Sequence, residues 1–479
     1  NGIEDLRSIR FMRMILKDFE IPVIFRFGTL DLVRGDWRRY NKSLNENLIY
    51  SSNTTVDIST VNILENENRI PVNYVLPPDI QREQINNNNT IVRQNEQSLS
   101  FRVCNLKPMD YRGVFKNVDV DLRQYKKLKM YIHAESIQGN NPLPGEGNFD
   151  EYDSRLVAFL RLGTDYQDNY YQIEVPLKPT KFGENLSNRI SAEDVWNPDL
   201  NSIDFPIELL SKIKSKYLSR GSLTEALFFD EEMNEVNEFT PISQLSGSKY
   251  YRISIKGNPS LGSIRTMMIG VKNPSTIIGD NLCGEVWFNE LRIAGIDNKG
   301  GWASIGSIDG NMADFLNFSG NTRYSSIGFG SIDQSPNQRT REELFQYDFT
   351  TATDAAKLLP SSFGIQIPLN YSIGEVIISP EFDPFYQDIK LKDRMEASGS
   401  NEEKNRIREQ AIDYTKRKNI SIVGVKKIGI SKKKKIYNVE NFDFSYSYNE
   451  IYHHDYEIEN QKNKNIRLQG NYGYNFQSL

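Results

Sequence analysis

Between Asn438 and Glu450 the chain reads NVENFDFSYSYNE. Phe442, Phe444, Tyr446 and Tyr448 fall at every second position, and Asp443, Ser445, Ser447 and Asn449 stand between them. Side chains of a strand point alternately to opposite faces. The stretch is therefore a strand with one aromatic side and one side of small or polar groups. A soluble sandwich also buries one face of each strand, but branched aliphatic residues dominate there. Here the apolar side is aromatic, and the other side is small and polar enough to border water.

The pattern recurs. Leu316, Phe318, Thr322 and Tyr324 alternate with Asn317, Ser319, Asn321 and Arg323. Phe345, Tyr347 and Phe349 alternate with Gln346, Asp348 and Thr350. Ile365, Ile367, Leu369, Tyr371 and Ile373 alternate with Gln366, Pro368, Asn370, Ser372 and Gly374, and a last run reaches Tyr472, Tyr474 and Phe476. In hydrocarbon no water satisfies backbone polar groups, so a spanning sheet must close on itself. Its outer face must be apolar, with Tyr and Phe where acyl chain meets headgroup, and its inner face meets water. Residues 298–479 thus read as strands of a large transmembrane β-barrel. Phe442, Phe444, Tyr446, Tyr448, Tyr472, Tyr474 and Phe476 are expected to face lipid. Asn317, Ser319, Asn321, Gln366, Asn370, Ser372, Ser445, Ser447 and Asn471 are expected to face the lumen. The charged, partly helical run from Leu391 to Asn419 reads as an insert on one rim, and NQKNKN (Asn460–Asn465) as a short turn. A second soluble sandwich with one wet face is the competing reading.

Bulk properties leave this open. The chain has 479 residues, 58 Lys and Arg, 63 Asp and Glu, and a net charge of −5. No basic field argues for nucleic acid. No apolar run approaches the ~18 residues of a spanning helix, whereas barrel strands need only ~9–11. The mean hydropathy of −0.56 suits a soluble protein and a barrel alike, because half of each barrel strand faces a polar lumen. Asn1 in place of an initiator Met, and an ending inside a strand-like run, point to an internal segment of a longer protein.

Upstream the texture differs. Ser8–Ile15 (SIRFMRMI) matches Ser263–Gly270 (SIRTMMIG), and Phe27, Leu30 and Leu32 align with Phe288, Leu291 and Ile293. Residues 1–40 therefore read as closing strands of one module, 41–98 as a polar connecting segment containing the Asn86–Asn89 tract, and 99–297 as a complete module. Short alternating runs divided by Gly, Pro, Asn and Asp in that module indicate a jelly-roll-like β-sandwich. One helix is expected at Phe205–Arg220, with Ile207, Leu210, Ile213 and Leu218 near one face. The overall class is all-β.

Chemistry-bearing motifs are sparse. Cys104 and Cys283 are either two buried thiols or a single bridge formed in an oxidising compartment. Of the histidines His133, His453 and His454, the last two are adjacent on a strand and point apart, so they would not share a metal. The basic run Ser431–Lys435 reads as a solvated turn, and Phe229–Glu238 as an acidic face without the spacing of a calcium loop. Gly328–Ser331 is only a fragment of a phosphate-loop pattern. No catalytic constellation, cofactor or metal site is expected.

Several blocks carry a resemblance: NGIEDLRSIRFMRM, TLDLVRGDWRRY, GEVWFNELRIAGIDNKGGWA, GFGSIDQ with RTREELFQYD, and ENFDFSYSYNEIYHHD. Together they are similar to the SprA (Sov) family, cell-surface proteins of Bacteroidetes that form the outer-membrane translocon of type IX secretion. The resemblance implies a wide conduit that exports folded cargo proteins and is linked to gliding motility. It also implies a PorV-type barrel partner, a periplasmic plug protein and no catalytic centre. Two rivals are a carbohydrate-binding surface protein, since the module ending in EVWFNELRI also resembles carbohydrate-binding modules, and a secreted hydrolase, which lacks a catalytic constellation.

Overall fold

Period-two alternation governs almost every ordered segment of the computed structural model, which describes residues 21, 24, 37–45, 53–82, 84–87, 90–145, 153, 155–180, 190–217, 224–429 and 435–475. The strands are β1 (Arg38–Arg39), β2 (Thr55–Asn62), β3 (Gln84–Asn87), β4 (Thr90–Arg93), β5 (Gln97–Leu106), β6 (Tyr111–Val120), β7 (Tyr125–Ser136) and β8 (Val157–Gly163). They continue as β9 (Tyr170–Pro176), β10 (Ser202–Pro206), β11 (Leu227–Phe229), β12 (Glu235–Val236), β13 (Arg252–Lys256), β14 (Ile264–Lys272) and β15 (Leu282–Ile296). Then come β16 (Ala303–Met312), β17 (Leu316–Ser325), β18 (Glu342–Asp354), β19 (Ile365–Gln366), β20 (Pro368–Pro380), β21 (Asp413–Lys427), β22 (Phe442–His454) and β23 (Gln461–Tyr472). Short helices interrupt them: α1 (Ile63–Asn66), α2 (Ala192–Trp196), α3 (Glu208–Tyr217), α4 (Leu391–Ala397) and α5 (Asn401–Ala411).

Two antiparallel sheets form a sandwich, one in the order β1-β6-β14-β8-β9-β13-β11-β12 and the other β10-β7-β15-β5-β2. Alternate residues of each strand turn inward. Phe101 and Val103 of β5, Met130 and Ile132 of β7, and Val286 and Phe288 of β15 join one buried core with Leu160, Ile173, Ile253, Ile269 and Val271 of the opposite sheet. The edge strand β2 pairs with β5 from Thr55↔Cys104 to Asn62↔Gln97. Residues 55–62, read from sequence as part of a polar connection, are thus structural: Val56 joins the core. The expected helix is shorter than its sequence range, because Phe205 and Pro206 belong to β10 and pair with Leu128 and Lys127. Ile207, Leu210 and Ile213 are buried as expected, whereas Leu218 lies outside the described residues. So does the first copy of the repeat, with Phe27, Leu30 and Leu32.

On its outer side the five-stranded sheet carries a second buried layer. Val61, Val72, Tyr74, Val195, Trp196 and Trp287 cluster there. Arg69 binds Glu135 at 2.6 Å and Glu285 at 3.1 Å, with its guanidinium 5.1 Å from the Trp287 ring centre. His133 is fully buried in this layer. Its Nδ1 lies 2.7 Å from the Val195 carbonyl oxygen, and its Nε2 lies 3.2 Å from a Glu135 oxygen.

Cys104 and Cys283 form a disulfide. It ties β5 to β15 beside the register shift at Leu282–Gly284.

A third sheet, β16-β17-β18-β20-β21-β22-β23, follows as an antiparallel meander, with β19 pairing β21 off the main path. Its connection to the sandwich includes a buried ion pair. Asp388, between β20 and α4, binds Lys214 of α3 at 2.7 Å and accepts a 2.5 Å hydrogen bond from the Tyr171 hydroxyl of β9. Lys214 also donates to the Pro259 carbonyl, and Arg123 donates to the Gln387 carbonyl at 3.1 Å. Burial pulls the Lys214 ammonium below its ordinary value, and Asp388 offsets part of that pull.

Two outcomes are expected. Replacing Cys104 and Cys283 together by Ser should lower stability by about 2–5 kcal/mol, read as an earlier midpoint in chemical denaturation of the full chain. Asp388→Ala strands a buried ammonium and should cost about 3–5 kcal/mol. The double variant Lys214→Met with Asp388→Leu should recover much of that loss in melting temperature, and a double variant no better than Asp388→Ala would refute the account.

Candidate functional site

The third sheet carries the alternation that dominates the second half of the sequence, and its strands are 10 to 15 residues long apart from β19. Register decides whether the separate patterns add up. Phe318 pairs with Thr351, Thr351 with Tyr371, Tyr371 with Ile420, Ile420 with Tyr448 and Tyr448 with Ile466. One row along, Leu316, Thr353, Leu369, Ile422, Tyr446 and Leu468 are linked in the same way. Most apolar positions of every long strand lie on that one side. Phe442, Phe444, Tyr446, Tyr448 and Tyr472 share that side. Tyr474 lies beyond the last residue of β23 and is not a sheet position, and Phe476 is outside the described residues.

The opposite face is equally continuous. Asp309, Ser319, Thr350, Ser372, Asn419, Asn449 and Asn465 form one cross-strand row. Asn317, Ala352, Asn370, Ser421, Ser447 and Arg467 form the next. Asn321 pairs with Asp348, Ser445 with Gln469, and Asn471 with Asp443. Gln366 reaches the same face through Lys426, because a bulge between Ile422 and Val425 keeps the phase of β21 against β22. All nine expected lumen positions therefore lie on one side. Amides hydrogen-bond along it: Asn311 to Asn317 at 2.6 Å, Asn419 to Asn449, and Asn471 to Asp443 at 2.9 Å.

Close approach explains two glycines. The Phe318 ring lies where a Cβ on Gly310 would stand, and the Phe444 ring covers Gly470 across the strand pair.

The apolar side is bare of protein. Ile308, Met312, Phe345, Phe349, Phe442, Phe444, Ile466, Leu468 and Tyr472 are all exposed there, with Phe444 at 58% and Leu468 at 80%. Isolated exposed hydrophobics are ordinary, but a contiguous patch of this kind marks an interaction surface.

Several features escaped the sequence reading. Charged residues occur on the aromatic side: Glu375 with Lys416 at 2.7 Å, and Glu450 with Lys462 at 2.8 Å. Tyr324 and Tyr448 donate to the neighbouring carboxylates Glu343 and Glu450. The polar side contains Ile305 and Ile451. Asn460–Asn465 is not a turn: β23 starts at Gln461, with Lys462 opposite Tyr452 and Lys464 opposite Glu450, and residues 455–460 make the connection. The rim insert holds α4 and α5 but ends before β21 begins at Asp413, so Lys416 and Lys418 are strand residues.

The sandwich and the longest insert lie at one end of the sheet. Residues 326–341, 381–412 and 455–460 connect strands there, and β15 leads into β16 at the same end. Among the described residues no helix is long and apolar enough to cross a membrane.

These features define an all-β protein in which a sandwich adjoins a long, two-faced antiparallel sheet. The SprA N-terminal family model, described as motility related/secretion protein, matches residues 1–395, and the chain belongs to that family. The match takes in the sandwich and the third sheet through β20. No curated protein matches the chain.

The register can be checked directly. Cysteines at Ser421 and Ser447, opposite each other on one face, should cross-link on oxidation, detected by peptide mass spectrometry. Cysteines at Ser421 and Tyr448 point to opposite faces and should not. Cross-linking of the second pair would overturn the register.

Proposed function

We propose that the chain is part of an outer-membrane protein-conducting channel that exports folded cargo, with the third sheet forming part of the barrel wall. The observation that carries this reading is the apolar face of β16–β23, continuous over all the long strands and exposed. Barrel strands of ~9–11 residues cross a bilayer when tilted, and these are at least that long. Edges β16 and β23 lack a second neighbour among the described residues. In lipid such edges must find partner strands, and barrel closure supplies them.

The charged residues on the aromatic side support the same reading. Glu343 on β18, Glu375 on β20, Lys416 and Lys418 on β21, Glu450 on β22 and Lys464 on β23 step obliquely across the register, from near the sandwich end at Glu343 to rows further from it at Glu450 and Lys464. Strands in a barrel tilt by ~35–45°, so a membrane boundary cuts obliquely across cross-strand rows. Tyr324, Tyr347 and Tyr448 stand beside these carboxylates, where an aromatic girdle belongs. The sandwich then sits outside the lipid, as a cap or vestibule at the rim. Outer-membrane barrels keep their long loops on the cell surface and short turns in the periplasm, which puts the sandwich on the cell surface.

The polar face suits passage of protein. Its Asn, Ser and Thr rows offer little apolar area, whereas an apolar lining would bury cargo surface at ~25 cal/mol per Å² and retain it. The role requires no catalytic group and no cofactor. The family resemblance adds a PorV-type barrel and a periplasmic plug as partners, besides the cargo.

In intact membranes, cysteines at Ser319, Ser372 and Ser447 should react with a water-soluble, membrane-impermeant maleimide. Those at Phe349, Tyr446 and Leu468 should stay protected until detergent is added. Equal labelling of both sets would remove the basis for a membrane wall.

A further inference from the structure

The outer face of the eight-stranded sheet departs from the pattern of the core. Its outward positions include Tyr111 on β6, Met268 and Lys272 on β14, Phe159 and Arg161 on β8, Tyr170, Gln172 and Glu174 on β9, and Arg252, Ser254 and Lys256 on β13. A face turned to bulk water does not need buried guanidinium and amide groups, yet Arg161, Gln172, Glu174, Arg252 and Lys272 are all buried here. They are covered in part by residues 40–45 and 224–240, and between these covers lies a cavity of about 510 Å³. Its volume falls within the usual ~300–1,000 Å³ of small-molecule sites.

We propose that this cavity is a binding site for a pyranose unit of a neutral polysaccharide. The floor is rigid. Arg161 donates to the Gln172 side-chain oxygen at 2.8 Å, and its guanidinium carbon lies 3.8 Å from the centre of the Tyr170 ring. Gln172 donates onward to Glu174 at 2.7 Å, and Glu174 is held by Lys272 and Arg252. Such a network fixes each polar group in place before any ligand arrives.

The walls decide the ligand class. Tyr40 and Phe228, both half-buried, supply aromatic surface in the walls, which suits the C–H face of a sugar ring. Arg161 and Lys256 are offset by Glu225 and Glu238, so the charged groups lining the cavity balance two against two. An anionic ligand would meet both carboxylates, and an apolar one would strip water from Arg161 and Gln172 without replacing its hydrogen bonds. The hydroxyl groups of a neutral sugar both donate and accept, and they match donors and acceptors placed side by side. The acidic stretch Phe229–Glu238 thereby acquires a role, because Glu238 accepts from Tyr111 and closes one wall.

This inference stands on the sandwich and does not depend on the barrel reading. The test uses the full 479-residue chain in an amine-oxide detergent, since sugar-headed detergents would compete. Soluble oligosaccharides built from glucose, galactose, mannose or N-acetylglucosamine are presented in turn and followed by saturation-transfer difference NMR. At least one series should bind, with saturation strongest at ring C–H protons. Gln172→Leu should weaken binding by about tenfold or more through loss of a buried hydrogen-bonding group. Lys256→Met, on the partly exposed wall, tests the site without disturbing its floor and should weaken binding while leaving the melting temperature unchanged. Failure of all four series to bind, or binding equal in wild type and Lys256→Met, overturns the proposal.

Discussion

The backbone register of the third sheet is the constraint on which the functional reading depends. Side chains alternate with a period of two, so a slip of one residue in any strand pair would move that strand's whole apolar set to the other face. All six successive pairings, from β16–β17 to β22–β23, keep the same phase. Where the chain itself would lose phase, at Val423 and Gly424, a bulge absorbs the extra residues. Amphipathic strands that are individually weak signals become one continuous apolar wall and one continuous polar wall. Neither wall exists in any single strand.

The sandwich works by the opposite logic. Several of its pairings join segments far apart in the chain: β6 with β14, β5 with β15, and Arg69 with Glu285. The Cys104–Cys283 bridge locks one such pairing. Asp388 extends the scheme across to the third sheet, because its carboxylate answers a buried ammonium on α3 and a buried hydroxyl on β9 at once. The sandwich is therefore fixed to the rim of the sheet by groups that would be costly to bury alone, not by a flexible tether.

What the sequence disclosed follows from this difference. Alternation is local, so the two faces of β17, β18, β20 and β22 were legible, and their shared phase made the expected positions fall together. Partner choice is not local. Thr55–Asn62 is mostly polar and stands among Asn-rich segments, so nothing in it announced an edge strand, and only Val56 and Val61 are buried hydrophobics. Lys462 and Lys464 read as turn residues until Tyr452 and Glu450 are seen opposite them. Two cysteines cannot declare whether they meet. Asp388 looked like any carboxylate in a polar loop, and the sugar-sized cavity is assembled from β6, β8, β9, β13 and two covering segments that no local pattern links.

The order of strands in the third sheet carries a consequence for how the protein is made. In this meander, the short β19 apart, each long strand pairs only with the long strands next to it in sequence, so every hairpin can form as soon as its own residues are available. Contacts of that kind close short loops and form quickly. The sandwich cannot grow in this way: β5 waits for β15 and β6 waits for β14, so its core assembles only once nearly the whole of residues 55–296 is present. A chain laid out in this sequence has every residue of its long-range domain in place before the first strand of a sheet that can be built one hairpin at a time.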